Sequence, residues 1–261
     1  MRDVLEAHHD VLFGALAAFV RRPSRKTPDP AALEVSWSTG FAEEVRLQHA
    51  MGSALEDTYA ALQRLPLARE IRKIVVGDPG AGPYGPTYRG LVNAMVASGT
   101  PPHLHTLVLG DVTAATRARI HAGDLRPLIS AMTELETLDV GAGSGTLGPL
   151  VAPKLRRLAI AGLDPATVVA SELPALVELD VRGAPAEILL SQLPRSALLG
   201  NLKKLAIVRC GLGDIELNSV LLFAAHYAHL EELDLRGNHF SRELVQEVGE
   251  LVPHLKAGGR R

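Results

Sequence analysis

The chain has 261 residues, 47% of them hydrophobic, a formal net charge of -2 and a single cysteine. That is enough apolar material for a continuous core, yet no window approaches the run of about 20 apolar residues that a membrane span needs. Without excess positive charge, a nucleic-acid partner is not expected; one cysteine excludes an internal disulfide and a thiolate metal cage and suits a reducing cytoplasm.

In chain order, residues 2 to 20 predict one helix with Leu5, Leu12, Leu16 and Phe19 on a stripe. Two uses are open for it: a cap over the end of a stacked core, or a membrane-surface or partner helix. Acidic Asp3, Glu6 and Asp10 precede its apolar stretch and Arg21 and Arg22 follow, the reverse of a secretory signal, so no targeting segment is read. The basic, proline-rich stretch Arg21 to Pro30 reads as a connector. Trp37 to Leu47 reads as a strand and Ser53 to Leu65 as a helix stopped by Pro66.

From there one spacing recurs. Ile71, Ile74 and Val76 stand at L-x-x-L-x-L positions, as do Leu104, Leu107 and Leu109; Leu135, Leu138 and Val140; and Leu155, Leu158 and Ile160. The pattern continues in Leu176, Leu179 and Val181, then in Leu202, Leu205 and Ile207 with Cys210 and Leu212, and in Leu230, Leu233 and Leu235 with Asn238 and Phe240. Alternation within L-x-L points every second residue inward, and the residue three places earlier adds to the same buried side. Only the last two units carry the Asn or Cys that would hydrogen-bond the turn. Between strands, Thr87 to Ala97, Thr113 to Met132 and Asp214 to His229 have the length for helices, and Arg242 to Leu255 predicts a closing helix.

These seven matches resemble the leucine-rich-repeat family, whose units stack into a solenoid. The segment WSTGFAEEVRL, Trp37 to Leu47, is similar to the W-x-x-G-F-x-E-E-V-R-L strand that opens bacterial leucine-rich proteins of the repeat-companion type. The resemblance covers residues 37 to 261 and implies a fold more than an activity; the acidic, Trp-containing helix usual at the start of such chains is not recognisable here. The expected class is therefore α/β, with a curved parallel sheet on the concave face, helices and irregular segments on the convex face, and an N-terminal capping helix. Residues 1 to 36 are assigned to the helix and connector and 37 to 261 to the solenoid.

Candidate chemistry is sparse. Gly80-x-Gly82-x-x-Gly85 follows a strand and precedes a helix, with Asp111 where a dinucleotide fold places its ribose-binding acid. A leucine-rich repeat has the same strand, turn and helix order, Gly143-x-Gly145-x-x-Gly148 matches the same pattern, and Pro79, Pro83 and Pro86 interrupt the turn. The loop is read as an extended segment flanking a binding surface. His103, His105, His226 and His229 lack three converging ligands for a metal, and Cys210 reads as a buried structural thiol. No cofactor, metal or catalytic set is expected.

What remains is the concave face. Its expected contact residues are Lys73, Val75, Thr106 and Val108 toward one end, with Tyr84 and Tyr88 in the adjoining loop; then Asp139 and Arg157; Glu178, Asp180 and Arg182; Lys204 and Arg209; and Glu232, Asp234 and Arg236. Charge sign alternates between neighbouring units. That pattern suits a ladder of ion pairs that keeps an open sheet soluble, a docking face for a partner, or both. The functional expectation is a non-catalytic, monomeric, cytoplasmic protein-binding module of scaffold, regulator or inhibitor/immunity type. A structural or self-assembling repeat protein is the alternative, and a nucleotide-binding enzyme working through Gly80, Gly82, Gly85 and Asp111 ranks third.

Overall fold

The computed structural model describes residues 7–18, 20, 33–38, 41–49, 54–81 and 85–260. In chain order its strands are β1 (Leu33–Ser38), β2 (Phe41–Leu47), β3 (Lys73–Val76), β4 (Thr106–Leu109), β5 (His121–Asp124), β6 (Thr137–Gly141) and β7 (Ser144–Thr146). They continue with β8 (Arg157–Ala161), β9 (Glu178–Arg182), β10 (Lys204–Val208), β11 (Glu232–Asp234), β12 (Phe240–Ser241), β13 (Leu255–Lys256) and β14 (Gly259–Arg260). Two compact units divide the chain: residues 1–135 with 141–145, and residues 136–140 with 146–261.

In the first unit β1, β2, β3 and β4 are hydrogen-bonded in that order. The β2–β3 and β3–β4 pairs are parallel, so each needs a crossover. The helix Leu55–Gln63 lies on the first crossover and Arg89–Ser98 on the second. Register sets Val45, Ile74 and Leu107 in one row and Leu47, Val76 and Leu109 in the next, all fully buried. Burying such a side chain is worth about 1.5–3 kcal/mol, which is why this spacing specifies stacking.

Three expectations change here. The single strand expected over Trp37 to Leu47 is divided between the two arms of an antiparallel hairpin: Trp37 and Ser38 end β1, Phe41–Leu47 form β2, and the two pair with a bulge at Ser36/Trp37. Thr113 to Met132 is not one helix: a turn of helix (Ala114–Arg117) capped by Thr113 gives way to β5, and a new helix covers Arg126–Ala131. Gly123 at φ +82 breaks the run, and Asp124 Oδ1 accepts from Arg126 N at 3.1 Å to start the next helix. Within residues 2 to 20, the described helix is His9–Phe13, ended by Gly14 at φ +49 and followed by a 3-10 turn. Phe13 and Leu16 are buried, and the Phe13 ring meets Trp37 edge-on with centroids 6.4 Å apart. Leu5, Phe19 and the connector at 21–30 lie outside the described residues.

In the second unit the order is β6, β8, β9, β10, β11, β13. Leu158, Leu179, Leu205 and Leu233 align across four parallel strands, each at most 1% exposed. Ile160, Val181 and Ile207 form the next buried row. The short repeat after β8 returns through a 3-10 turn, Ala166–Ala170, where longer repeats have room for helix. Asp214 to His229 divides at Phe223 into helices Asp214–Leu222 and Ala224–Tyr227. The closing helix stops at Leu251, ahead of Pro253. Beyond it Val252, Leu255 and Ala257 keep the repeat spacing, and β13 adds a parallel strand with Leu233 beside Leu255.

Candidate partner-binding face

Alternation puts every second strand residue on the side opposite the leucines. In the second unit the parallel register arranges these into rows across the strands. One row runs Arg157, Glu178, Lys204, Glu232. Glu178 lies between two cations, 4.0 Å from Arg157 Nε and 2.9 Å from Lys204 Nζ, and Lys256 Nζ reaches Glu232 at 2.7 Å. The expected alternation of sign is therefore a physical ladder. Its cationic side chains stay about half exposed, so solvent screens each pair and the ladder orients the surface more than it stabilises the fold.

The next row runs Ala159, Asp180, Ala206, Asp234, Lys256. Both aspartates are held from their own strand. Arg182 donates Nε and Nη2 to Asp180 at 2.8 and 2.6 Å, and Arg236 does the same to Asp234 at 2.9 and 2.7 Å. The Asp180 and Asp234 side chains are 16% and 7% exposed, while their arginines are 64% and 65% exposed. The acids are shielded and the guanidiniums are presented. Burial acts to raise Asp234, but the hydrogen bonds from Arg236 and the charges of Arg236 and Lys256 hold its carboxyl below the usual range. Hydrogen bonding to Asp180 pushes Arg182 up, with Asp139 and Asp234 adding to it.

Two contact assignments shift. Arg209 is not on this face: it sits in the turn after β10 at φ +56, folded against Gly237, where a Cβ would lie 2.6 Å from Arg209 Cγ. Val208, opposite Arg182, holds the face position instead. Lys256 belongs to the face as well. The extra strand that carries it was legible only in the Val252, Leu255, Ala257 spacing.

In the first unit the corresponding side presents Glu44 and Arg46 on β2, Lys73 and Val75 on β3, and Thr106 and Val108 on β4. Lys73 Nζ pairs with Glu44 at 2.9 Å, and Arg46 pairs with Asp111 and donates to its carbonyl at 3.2 Å. Glu44 and Arg46 come from the hairpin, whose face the repeat spacing does not reveal. Val75 is only 5% exposed, so Thr106 and Val108 offer the apolar surface. Tyr88 is fully buried and donates its hydroxyl to the Gly77 carbonyl at 2.8 Å; it anchors the loop from within and is not a contact residue. Tyr84 lies outside the described residues, as does Gly82.

The glycine loop is built for packing. Gly80 adopts φ +73, its N–H donates to Asp78 Oδ1 at 2.8 Å, and a Cβ there would stand 2.3 Å from the His49 ring. The space freed by the missing side chain is occupied by imidazole, and Asp111 is committed to Arg46. His229 Nε2 lies 3.0 and 3.1 Å from the Leu199 and Leu202 carbonyls. Burial pushes the Cys210 thiol up. Among the described residues no group of three or more His, Cys, Asp or Glu is placed to hold a metal ion, and no helix is long and apolar enough to cross a membrane. On the helical side of the second unit, exposed Ile188 and Ile215 flank a shallow groove of about 260 Å³ between Glu187–Gln192 and Asp214–Leu222.

Parallel L-x-x-L-x-L strands, helices or 3-10 turns on the return path and an Asn/Cys-bonded turn define leucine-rich-repeat architecture of mixed α/β class. No protein-family model matches the chain. No curated protein matches it either. Among solved structures, a protein from Bacteroides fragilis superposes with a TM-score of 0.57 and 18% identity, over 81% of this chain and 73% of its own. That likeness concerns the fold alone. An internalin from Listeria monocytogenes is matched at a TM-score of 0.38 and 14% identity, over 76% of this chain and 56% of the internalin, too loosely to carry an argument.

Proposed function

We propose that this chain is a non-catalytic, cytoplasmic protein-binding module that grips a folded partner through its open strand faces and adjoining loops. The observation that carries the reading is the second unit's face, where Arg157, Lys204, Lys256, Arg182 and Arg236 are each about half to two-thirds exposed yet each is held by an acid. Side chains already oriented lose less entropy on association than free ones, so such a surface is prepared for contact. A scaffold, a regulator and an inhibitor or immunity protein all use such a face, and the chain acts as a monomer in each. The described helix His9–Phe13 serves as a cap segment, with Phe13 against Trp37.

The test is capture from native lysate on the immobilised chain, beside Ala206→Arg in the second unit and Val108→Arg in the first, all matched for folding by circular dichroism. Both sites are partly exposed, so the added side chains obstruct the face without entering the core. A protein retained by the native chain and lost by either variant locates the site. Equal retention by all three forms sinks the proposal.

A further inference from the structure

The helix Asp214–Leu222 is apolar on two sides. Leu217 and Val220 are buried, while Ile215 and Leu222 are 83% and 78% exposed. A surface helix ordinarily keeps polar residues on its outer side. Ile215, Ser219 and Leu222 stand at i, i+4 and i+7, so they form one outward stripe, large, small, large, with the two aliphatic side chains about 10 Å apart along the axis. The helix Glu187–Gln192 packs alongside and repeats the step, exposed Ile188 being followed one turn on by Ser191. Between the helices, Ile188, Ser191, Ile215 and Ser219 wall the groove of about 260 Å³, buried Leu190 forms its floor, and Glu187 and Glu216 complete the lining. A site that encloses a drug-sized ligand has roughly 300–1,000 Å³; this one suits a single side chain.

Charge selects the occupant. The lining holds Glu187 and Glu216 and no cation. Glu216 Oε2 accepts from Gly213 N at 2.7 Å and Asp214 Oδ1 from Ser241 N at 2.7 Å, so backbone N–H groups hold these carboxylates in place. The helix Arg242–Leu251, packed on Asp214–Leu222, carries Glu243, Glu247 and Glu250 against Arg242. The turn Leu193–Arg195 adds Arg195, and the turn Ala166–Ala170 packed on Glu187–Gln192 has no charge. Acids outnumber cations here even with both arginines and His226 of the following helix counted as charged. An aliphatic floor inside an acidic rim accepts an apolar side chain flanked by Lys or Arg and disfavours an acidic segment or an anionic lipid surface. A helix reads such a groove through anchors at i, i+3 or i+4 and i+7, the interval at which Ile215, Ser219 and Leu222 are set. We propose that this groove docks a basic amphipathic helix of a protein partner, with its middle anchor seated on Leu190 between the two isoleucines and its flanking Lys or Arg facing Glu187 and Glu216. The site lies on the helical side, goes beyond the strand-face reading and does not depend on it.

The probe is the fluorescein-labelled peptide AKKALKKLAKALKKA-amide, whose leucines stand at i, i+3 and i+7, followed by fluorescence anisotropy as the full chain is added. Two control peptides keep one feature each: one has every Lys changed to Glu, the other every Leu changed to Ala. Saturable binding of the probe is expected, about tenfold or more tighter than that of either control. Ile215→Ser with Leu222→Ser removes two exposed side chains and spares the core, and it should weaken binding about tenfold. Glu187→Lys should weaken it about threefold, and Ala206→Arg on the strand face should leave it unchanged. No saturable binding, equal binding of either control, undiminished binding by the Ile215→Ser, Leu222→Ser chain or by Glu187→Lys, or loss with Ala206→Arg overturns the proposal. So does a dimer of the native chain in sedimentation that the double serine variant abolishes, because a second copy would then be the occupant. If the strand-face variants release no protein in lysate capture while the probe still binds here, the strand-face reading falls and the groove stands.

Discussion

Asn238 closes the turn after β10: its Oδ1 accepts from Cys210 N at 2.9 Å, joining two successive repeats through one buried amide. The same oxygen lies 3.4 Å from Leu212 N, and Nδ2 donates to the Ile207 and Leu235 carbonyls at 2.7 and 2.8 Å. In the preceding repeat Cys210 makes a weaker version of the same closure, its thiol pointing at the Val181 carbonyl at 3.6 Å and the Val208 carbonyl at 3.4 Å.

Asn238→Ala removes all four bonds and leaves buried amides and carbonyls without partners. A loss of about 2–4 kcal/mol follows from the cost of unsatisfied buried polar groups. Urea unfolding of the two proteins measures it, and a loss under about 1 kcal/mol would show that water replaces the side chain.

The Asp234–Arg236 pair should make stability depend on acid. Unfolded, Asp234 titrates near the ordinary value of about 3.9; folded, it titrates lower. The native state binds fewer protons between those two values, so the contribution is fully present above the unfolded value and disappears as pH falls through the folded one. Relative to Asp234→Asn, the native chain should be more stable by about 1–2 kcal/mol at pH 7. That gap should close in strong acid in a series of unfolding curves, and a gap constant down to pH 2 contradicts the pairing.

Gly80→Ala tests whether the glycine loop exists for packing. The backbone at φ +73 disfavours a side chain, and the new methyl would meet the His49 ring. Together these cost about 2–4 kcal/mol. His49→Ala in the same chain should recover the steric component, so the double variant loses less than the sum of the singles by thermal unfolding. Strict additivity would mean that the ring and the glycine do not meet.

Cys210 should be a slow thiol. It is 6% exposed, burial holds its protonation above the ordinary range, and a thiolate could no longer donate to the Val181 and Val208 carbonyls. At pH 8 its reaction with an aromatic disulfide reagent should be at least about 100-fold slower than that of a small free thiol, and urea should abolish the difference. Rapid reaction in the native state would place the sulfur at the surface.

The repeat was legible because its cause is local. An L-x-x-L-x-L spacing buries the same positions wherever it occurs, and the leucine rows from Leu158 to Leu233 follow from it. Alternation of Lys and Glu between units likewise foretold the Arg157, Glu178, Lys204 ladder. Features that rest on backbone breaks were harder to see: Gly123 and Asp124 cut one expected helix in two, and Pro253 released a final strand from another.

What only the tertiary structure decided was which residues each side chain meets. Spacing puts Tyr88 in a loop, but the Gly77 carbonyl draws its hydroxyl inward, so that residue belongs to the core. Sequence alone assigns Arg209 to the face, and the left-handed turn at Arg209 gives that position to Val208. Above all, the sequence by itself determined that Asp180, Arg182, Asp234 and Arg236 stand on one side of their strands. That the acids lie beneath and the guanidiniums above was decided by the bonds each arginine makes to the aspartate two residues earlier on its own strand, and that the two pairs flank Ala206 was decided by parallel register, because hydrogen bonding between strands sets which side chains become neighbours.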